Sequence, residues 1–230
     1  MSAISGFGEN AYTVFTDEKN YKHLAKFFLS WAELLPHLNS DVKEVVEKFS
    51  QELKSFGNVI TVLGTPGALM KDGAVVIDSK KSLQDRVISS GKFFQTAYKT
   101  YEIAGKWFPG IQIVGLAPIK QVLPPVAVAL GAYDVYSESC GLYDLLYSFQ
   151  SDPSTLSSST SSPSEQSKKI AKVLDVATKV GVLALAVLTI IPLVFPAVVV
   201  APIVMPALGA FTMTIAIFNM IFKKMHGIEK

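Results

Sequence analysis

The chain has 230 residues, enough for one or two domains, and hydrophobic residues make up 50% of them. Its formal net charge of only +2 gives no support for nucleic-acid binding. Cys140 is the only cysteine, which excludes an intramolecular disulfide and a multi-cysteine metal site. The first twenty residues lack a basic segment followed by an apolar core, so they do not predict a Sec-type signal peptide.

The N-terminal third predicts two helices that follow a mobile lead-in at residues 1–16. Apolar residues recur at helical spacing from residue 17 to residue 35, and Pro36 marks the predicted end of this helix. Asp41 can cap a second helix, which we expect to end at Gly57. The two helices are predicted to form an antiparallel pair.

Residues 58–79 differ in composition from the helical segments before them. Two short runs rich in β-branched residues, 59–63 and 74–77, predict a β-hairpin or an irregular loop. The GTPG sequence at residues 64–67 is interpreted as a turn, because the Gly-Lys-Ser/Thr ending of a phosphate loop is absent.

A further helix is predicted to start at Ser79 or Ser82 and to run to about Trp107, with an aromatic apolar side and a basic opposite side. Such a helix can lie on a membrane surface. Packing against the two earlier helices is the preferred interpretation.

Residues 107–133 form an apolar region long enough for one membrane span. Lys120 lies at its middle, however, and four prolines interrupt it, so a re-entrant segment or core packing competes with a true span. Helical spacing resumes over residues 134–149.

Residues 151–167 contain nine serines and predict a flexible linker. This linker divides a mainly helical region, 1–150, from a C-terminal region, 168–230. Ser164 can cap a helix that continues into the next segment.

Residues 180–222 contain no charged residue, and their length is about twice the roughly 20 residues that one membrane helix needs. We expect two spans, 180–200 and 203–222, joined by a turn near Ala201 and Pro202 or nearer residues 206–209. A hairpin buried in a soluble core is the alternative, although such helices usually carry a polar stripe.

Basic residues flank this run on both sides, and positive flanks stay on the side from which a span is inserted. Both termini are therefore predicted to lie on the same, cytosolic side of the membrane. The flanking residues are Lys168, Lys169, Lys172, Lys179, Lys223 and Lys224.

No catalytic constellation is evident. His23, His37 and His226 are isolated in the sequence and form no metal-binding motif. We therefore predict no catalytic residue, no cofactor and no metal site. A pocket that places His23 or His37 beside a carboxylate would favour a membrane-tethered enzyme instead.

The paired spans with lysine flanks and a minimal turn resemble the bilobed hydrophobic domain of chlamydial inclusion membrane proteins. The resemblance covers residues 180–222 with Lys179, Lys223 and Lys224, roughly a fifth of the chain. It implies type III secretion into a vacuole membrane, with both termini in host cytosol and a host protein as partner. In that family the bilobed domain often lies nearer the N-terminus, whereas here the larger part of the chain precedes it.

The sequence thus predicts a mainly α protein with a C-terminal transmembrane hairpin. The first functional hypothesis is a membrane-anchored, non-enzymatic adaptor or scaffold that presents its helical N-terminal part to a protein partner. The helix faces around Trp31 and Phe49 are the candidates for this contact, and core packing is the preferred interpretation of both faces. The alternative is a multi-span channel, transporter subunit or membrane-remodelling protein, which would require residues 107–133 to insert.

Overall fold

A computed structural model of the chain describes residues 2–38, 40–107, 117–147 and 163–228. Every regular element in these ranges is helical, which confirms the predicted mainly α class. The seven α-helices are α1 (Ser2–Thr16), α2 (Tyr21–Leu38), α3 (Lys43–Ile77), α4 (Leu83–Trp107), α5 (Ala117–Tyr147), α6 (Pro163–Val194) and α7 (Val204–Met225), and 3-10 turns at Glu18–Asn20 and Ser40–Val42 flank α2.

The predicted mobile lead-in is wrong, because residues 2–16 form helix α1. Tertiary contact explains the difference, since Val14 is buried with Leu24 of α2 and with Ile217 and Ile221 of α7. Helix α2 also continues through Pro36 to Leu38. A proline so close to a helix end removes only one backbone hydrogen bond before the helix would stop.

Helix α3 replaces the predicted second helix and the β-rich segment with one continuous helix. The GTPG turn and the stop at Gly57 are therefore both wrong. Within α3 the Thr61 hydroxyl donates to the Gly57 carbonyl at 2.8 Å, and the Thr65 hydroxyl contacts Thr100 of α4 at 2.6 Å. Packing against α4 thus outweighs the weak β-propensity of the branched residues.

Helix α4 begins where one of the predicted caps places it. The Asp85 amide donates to the Ser82 hydroxyl at 3.0 Å, which satisfies one of the free backbone donors of the first turn. The Arg86 side chain then donates to the Val76 carbonyl at 2.9 Å, so that α3 and α4 run antiparallel.

Helix α5 joins the later part of the apolar region 107–133 to the predicted helix 134–149. Pro124 and Pro125 lie within it. Residues 108–116, in the first part of that region, lie outside the described residues. Among the described helices, α5 is not one of those long and apolar enough to cross a membrane.

Helices α6 and α7 form the predicted pair, with residues 195–203 between them. The first helix ends at Val194 rather than near residue 200, and the second begins at Val204, close to the prediction. Residues 151–162 of the predicted linker lie outside the described residues, and residues 163–167 belong to α6.

Six helices follow one another in a closed cycle of contacts. Helix α2 packs on α3, α3 on α4, α4 on α5, α5 on α6, α6 on α7, and α7 again on α2, while α1 covers α7. The α4–α5 contact is the smallest of the cycle. Across the described residues, no helix of the cycle packs on one opposite to it.

Gly181 of α6 lies in close contact with Thr212 of α7. A Cβ atom at position 181 would lie 2.8 Å from the Thr212 Cγ2 atom, which is shorter than any normal contact. Small residues allow this kind of close approach between membrane helices.

We expect Gly181→Ala to destabilise the folded chain by about 1–3 kcal/mol, because the added methyl group overpacks the α6–α7 contact. The matched control is Gly105→Ala, where nothing lies within 4 Å of the added atom. Better helix propensity should make that variant neutral or more stable by up to about 1 kcal/mol. Thermal unfolding of the detergent-solubilised chain, followed by circular dichroism, measures both, and equal shifts would contradict the close approach.

Candidate functional site: the hairpin and its surroundings

The hairpin presents most of its apolar surface outward. Only 6% of the most apolar stretch of α6 is buried, and 33% of that of α7. Across the described residues only ten apolar residues are buried, and seven polar residues are buried with them. This distribution does not support the alternative of a hairpin buried in a soluble core, and it shows surface that lipid or another protein must cover.

Within the part of the chain that the structure describes, three helices are long and apolar enough to cross a membrane, namely α3, α6 and α7. The sequence interpretation missed α3 because it divided this helix into a helix and a β-rich segment. These apolar helices support the prediction that the chain is a helical membrane protein.

The two hairpin helices are joined at their basic ends by Asp175 of α6. Its carboxylate accepts hydrogen bonds from Lys223 Nζ at 2.6 Å and from Asn219 Nδ2 at 2.8 Å, both on α7. The Asp175 and Lys223 side chains are only 23% and 19% exposed, so the pair is largely shielded from water. About two turns earlier on α6, the Ser167 hydroxyl lies 3.1 Å from Nδ1 of His226, the residue after α7.

Helix α5 is joined to α6 by two further ion pairs. Lys179 Nζ lies 2.8 Å from Asp134 Oδ2, and Lys172 pairs with Glu138. The sequence interpretation missed both carboxylates. A signal was present, since Asp134 and Glu138 are four residues apart and so share one face of a helix.

The six lysines that are predicted to flank the membrane therefore divide into a paired group and an exposed group. Lys172, Lys179 and Lys223 pair with carboxylates of neighbouring helices, while Lys169 pairs within α6 with Glu165 at 3.0 Å. Lys168 and Lys224 are exposed. A hydrogen bond with Lys19 lowers the pKa of Asp17, and the charge of Lys224 adds to this effect. The role of the six flanking lysines at a membrane surface stays a prediction.

Helix α7 also carries polar contacts to α2. Trp31 Nε1 donates to the Thr214 hydroxyl at 3.1 Å, and Ser30 lies against Gly209. Trp31 thus packs against the hairpin while part of its side chain stays exposed.

A cleft of about 430 Å³ lies where the end of α2 meets the start of α3 and Pro206 of α7. His37, Glu33 and Glu47 line it together, which is the juxtaposition that would favour an enzyme. However, Glu33 pairs with Lys54 at 2.8 Å and Glu47 faces Lys43 at 3.9 Å. No hydrogen bond joins the described His37 ring to either carboxylate.

A second cleft, of about 350 Å³, lies between α4, α5 and α6. Lys92, Gln95 and Lys99 of α4 form its polar wall. Its other wall is mostly apolar and is formed by α5 and α6.

Lys99 also lies near two lysines of α2. Burial and the nearby charges of Lys22 and Lys99 lower the pKa of Lys26 from 10.5 to about 8. Burial, followed by the charge of Lys22, likewise lowers the pKa of Lys99. The Lys26 and Lys99 side chains nonetheless remain accessible to solvent. The helices that carry them, α2 and α4, do not pack on each other in the described ranges, so a gap separates them.

Comparison with known proteins finds no matching family, no matching curated protein and no matching solved structure. Within the described ranges, no group of three or more metal-ligating side chains comes together, and Cys140 is exposed. The functional argument therefore depends on the geometry of the hairpin and its neighbours.

We expect Asp175→Asn to destabilise the chain by about 1–3 kcal/mol, because Lys223 would keep a shielded charge without its partner. The control is Glu47→Gln, which removes an exposed pair and should change stability by less than about 1 kcal/mol. Chemical unfolding in detergent compares the two variants, and equal effects would show that Asp175 does not join the hairpin.

Lys26 should make stability depend on pH. Between pH about 8 and 10.5 the unfolded chain holds a proton that the folded chain has released, so stability should rise with pH in this window. Melting temperatures at pH 7.5 and pH 10 should therefore differ less in Lys26→Gln than in the unaltered chain. The exposed Lys80→Gln variant should keep the original difference, and an unchanged difference in Lys26→Gln would contradict the shift.

Proposed function

We propose that the chain is a membrane-anchored, non-enzymatic scaffold whose α6–α7 hairpin inserts into a bilayer. The observation that supports this most is the exposed hairpin with a charge-free run, whose ion pairs cluster at one end. Asp175, Lys179 and Lys223 all lie at the end where both helices would enter the membrane. Both termini would stay on that side, where positive flanks are retained.

The hairpin also contacts charged parts of the body near its tip. Lys43 and Glu47 line the same cleft as Pro206, which is in the first turn of α7. A charged side chain at the centre of a bilayer costs about 3 kcal/mol on insertion scales. Insertion of α7 with α2 and α3 still attached would bring several such charges toward the hydrocarbon.

We therefore infer that the structure corresponds to a docked state, in which α1 and α2 cover one side of α7. On insertion the hairpin separates from α2 and the start of α3. The ion pairs of α5 with Lys172 and Lys179 lie at the basic end, outside the charge-free run, and can persist. The body would then remain attached to the anchor through α5.

The length and apolar character of α3 favour the multi-span alternative. Its apolar half packs on α4, which carries Arg86, Lys92 and Lys99. A span through this half would bring those charges to the membrane as well. The scaffold therefore keeps α3 in the body, where Val45, Phe49 and Phe56 form an exposed apolar stripe available to a protein partner.

The shared pattern with chlamydial inclusion membrane proteins supports a finer proposal. The membrane would be a host vacuole membrane, and the partner a host protein that binds the exposed body. The features that support this assignment are two closely spaced apolar helices and the lysines that flank the run on both sides.

A disulfide between α2 and α7 tests the docked state. The Ser30 Cβ atom lies 3.7 Å from the Cβ position of residue 209, which is the separation that a disulfide needs. With Cys140→Ser, the Ser30→Cys, Gly209→Cys chain should fail to insert into phosphatidylcholine vesicles when oxidised and should insert after reduction. Alkaline carbonate extraction of the floated vesicles measures insertion, and Ser30→Cys alone is the control.

Two other outcomes would contradict the docked state or the anchor. Insertion of the oxidised chain would mean that α2 enters the membrane with α7, which favours the multi-span alternative. Release of the reduced chain by carbonate would contradict the anchor itself. Protease tags at both termini should be cut from the same side of the vesicles after insertion.

A further inference from the structure

The cleft between α4, α5 and α6 has two chemically distinct walls. Lys92, Gln95 and Lys99 form the polar wall on α4, and Leu123 and Leu130 of α5 belong to the apolar wall. At about 350 Å³, its volume lies within the range of small-ligand pockets. This combination suits an amphiphile with an anionic head and a hydrocarbon tail.

The apolar wall continues into the predicted anchor. Val182 and Ala186 line the cleft, and both lie within the first two turns of the charge-free run that starts after Lys179. On insertion, this level of α6 lies where lipid phosphates meet hydrocarbon. The cleft would therefore open toward lipid headgroups.

The lysines of the polar wall lack partners of opposite charge. Within the described part of the chain, no carboxylate lies at ion-pair distance from Lys92 or Lys99. Glu102, three residues further along α4, attracts Lys99 without pairing with it. Asp134, the one carboxylate that lines the cleft, is paired with Lys179 at 2.8 Å.

Lys22 and Lys26 of α2 add positive charge from across the gap. They lie close enough to Lys99 for the like charges to repel one another. Helices α2 and α4 do not pack on each other in the described ranges. A bound anion would neutralise the group and relieve the repulsion.

The geometry points to an anionic phospholipid as the ligand of this cleft, with its phosphate on Lys92 and Lys99 and its acyl chains along α5 and α6. This inference rests on the proposed membrane anchoring, which would supply the lipid. Gln95 can donate a further hydrogen bond to the headgroup. The lipid would join α4 to α5 where the contact between neighbouring helices is smallest.

Calorimetric titration of the full chain in a non-ionic detergent tests this site. The probe is short-chain phosphatidylglycerol below its micelle concentration, compared with inorganic phosphate. We expect saturable phosphatidylglycerol binding that weakens at least about tenfold in Lys92→Gln, Lys99→Gln. The matched control is Lys80→Gln, Lys81→Gln, which removes the same charge from the exposed α3–α4 turn and should bind as the unaltered chain does.

A second variant keeps every charge. Ala127→Phe fills the apolar side of the cleft, where Ala127 lies on α5, and should weaken lipid binding to a similar degree. Circular dichroism confirms that each variant keeps its helices. If the double lysine variant does not fold, the comparison of Ala127→Phe with the unaltered chain decides.

Three results would overturn the inference. The folded cleft variants could bind phosphatidylglycerol unchanged, no saturable binding could occur, or inorganic phosphate could bind as tightly as the lipid, which would indicate a soluble anion. The titration needs no bilayer. A failed carbonate extraction with intact lipid binding would therefore contradict the anchor and leave the lipid site standing.

Discussion

The pairing of Asp175 with Lys223 is the interaction on which the rest of the structure depends. It holds α6 and α7 together at the end where two long apolar helices meet water, and Asn219 completes the carboxylate's hydrogen bonds. The ion pairs of α5 then attach the body to the same end of the hairpin. Charge is thus confined to one end, and the remaining length of both helices can face hydrocarbon.

The body holds the hairpin by a different kind of contact. Ser30 lies against Gly209, Trp31 donates to Thr214, and a small apolar cluster around Leu24 covers the base of α7. Helix α2 packs on α7 about as extensively as α6 does, so lipid must replace a large contact when the hairpin inserts. The shielded ion pairs at the base have no such substitute in hydrocarbon, because separating them would leave buried charges unpaired.

Local signals in the sequence were sufficient for part of this fold. The Ser82 cap, the charge-free run and the prolines between its halves predicted α4 and the α6–α7 pair, because each signal acts within a few residues. The continuity of α3 was missed, since Thr65 is held in the helix by packing with Thr100, 35 residues away. The α5–α6 ion pairs and the proximity of Lys22 and Lys26 to Lys99 were missed for the same reason, because they bring together residues that are distant in sequence.

The unbroken α3 has a mechanical consequence. Its 35 residues form a rod about 52 Å long, from the corner beside Pro206 to the turn that leads into α4. Its first third lies beside α2, where Glu33 pairs with Lys54, and its later part packs on α4. The rod therefore sets the distance between the α2–α7 corner and the α3–α4 turn, and the two cannot approach each other unless α3 bends.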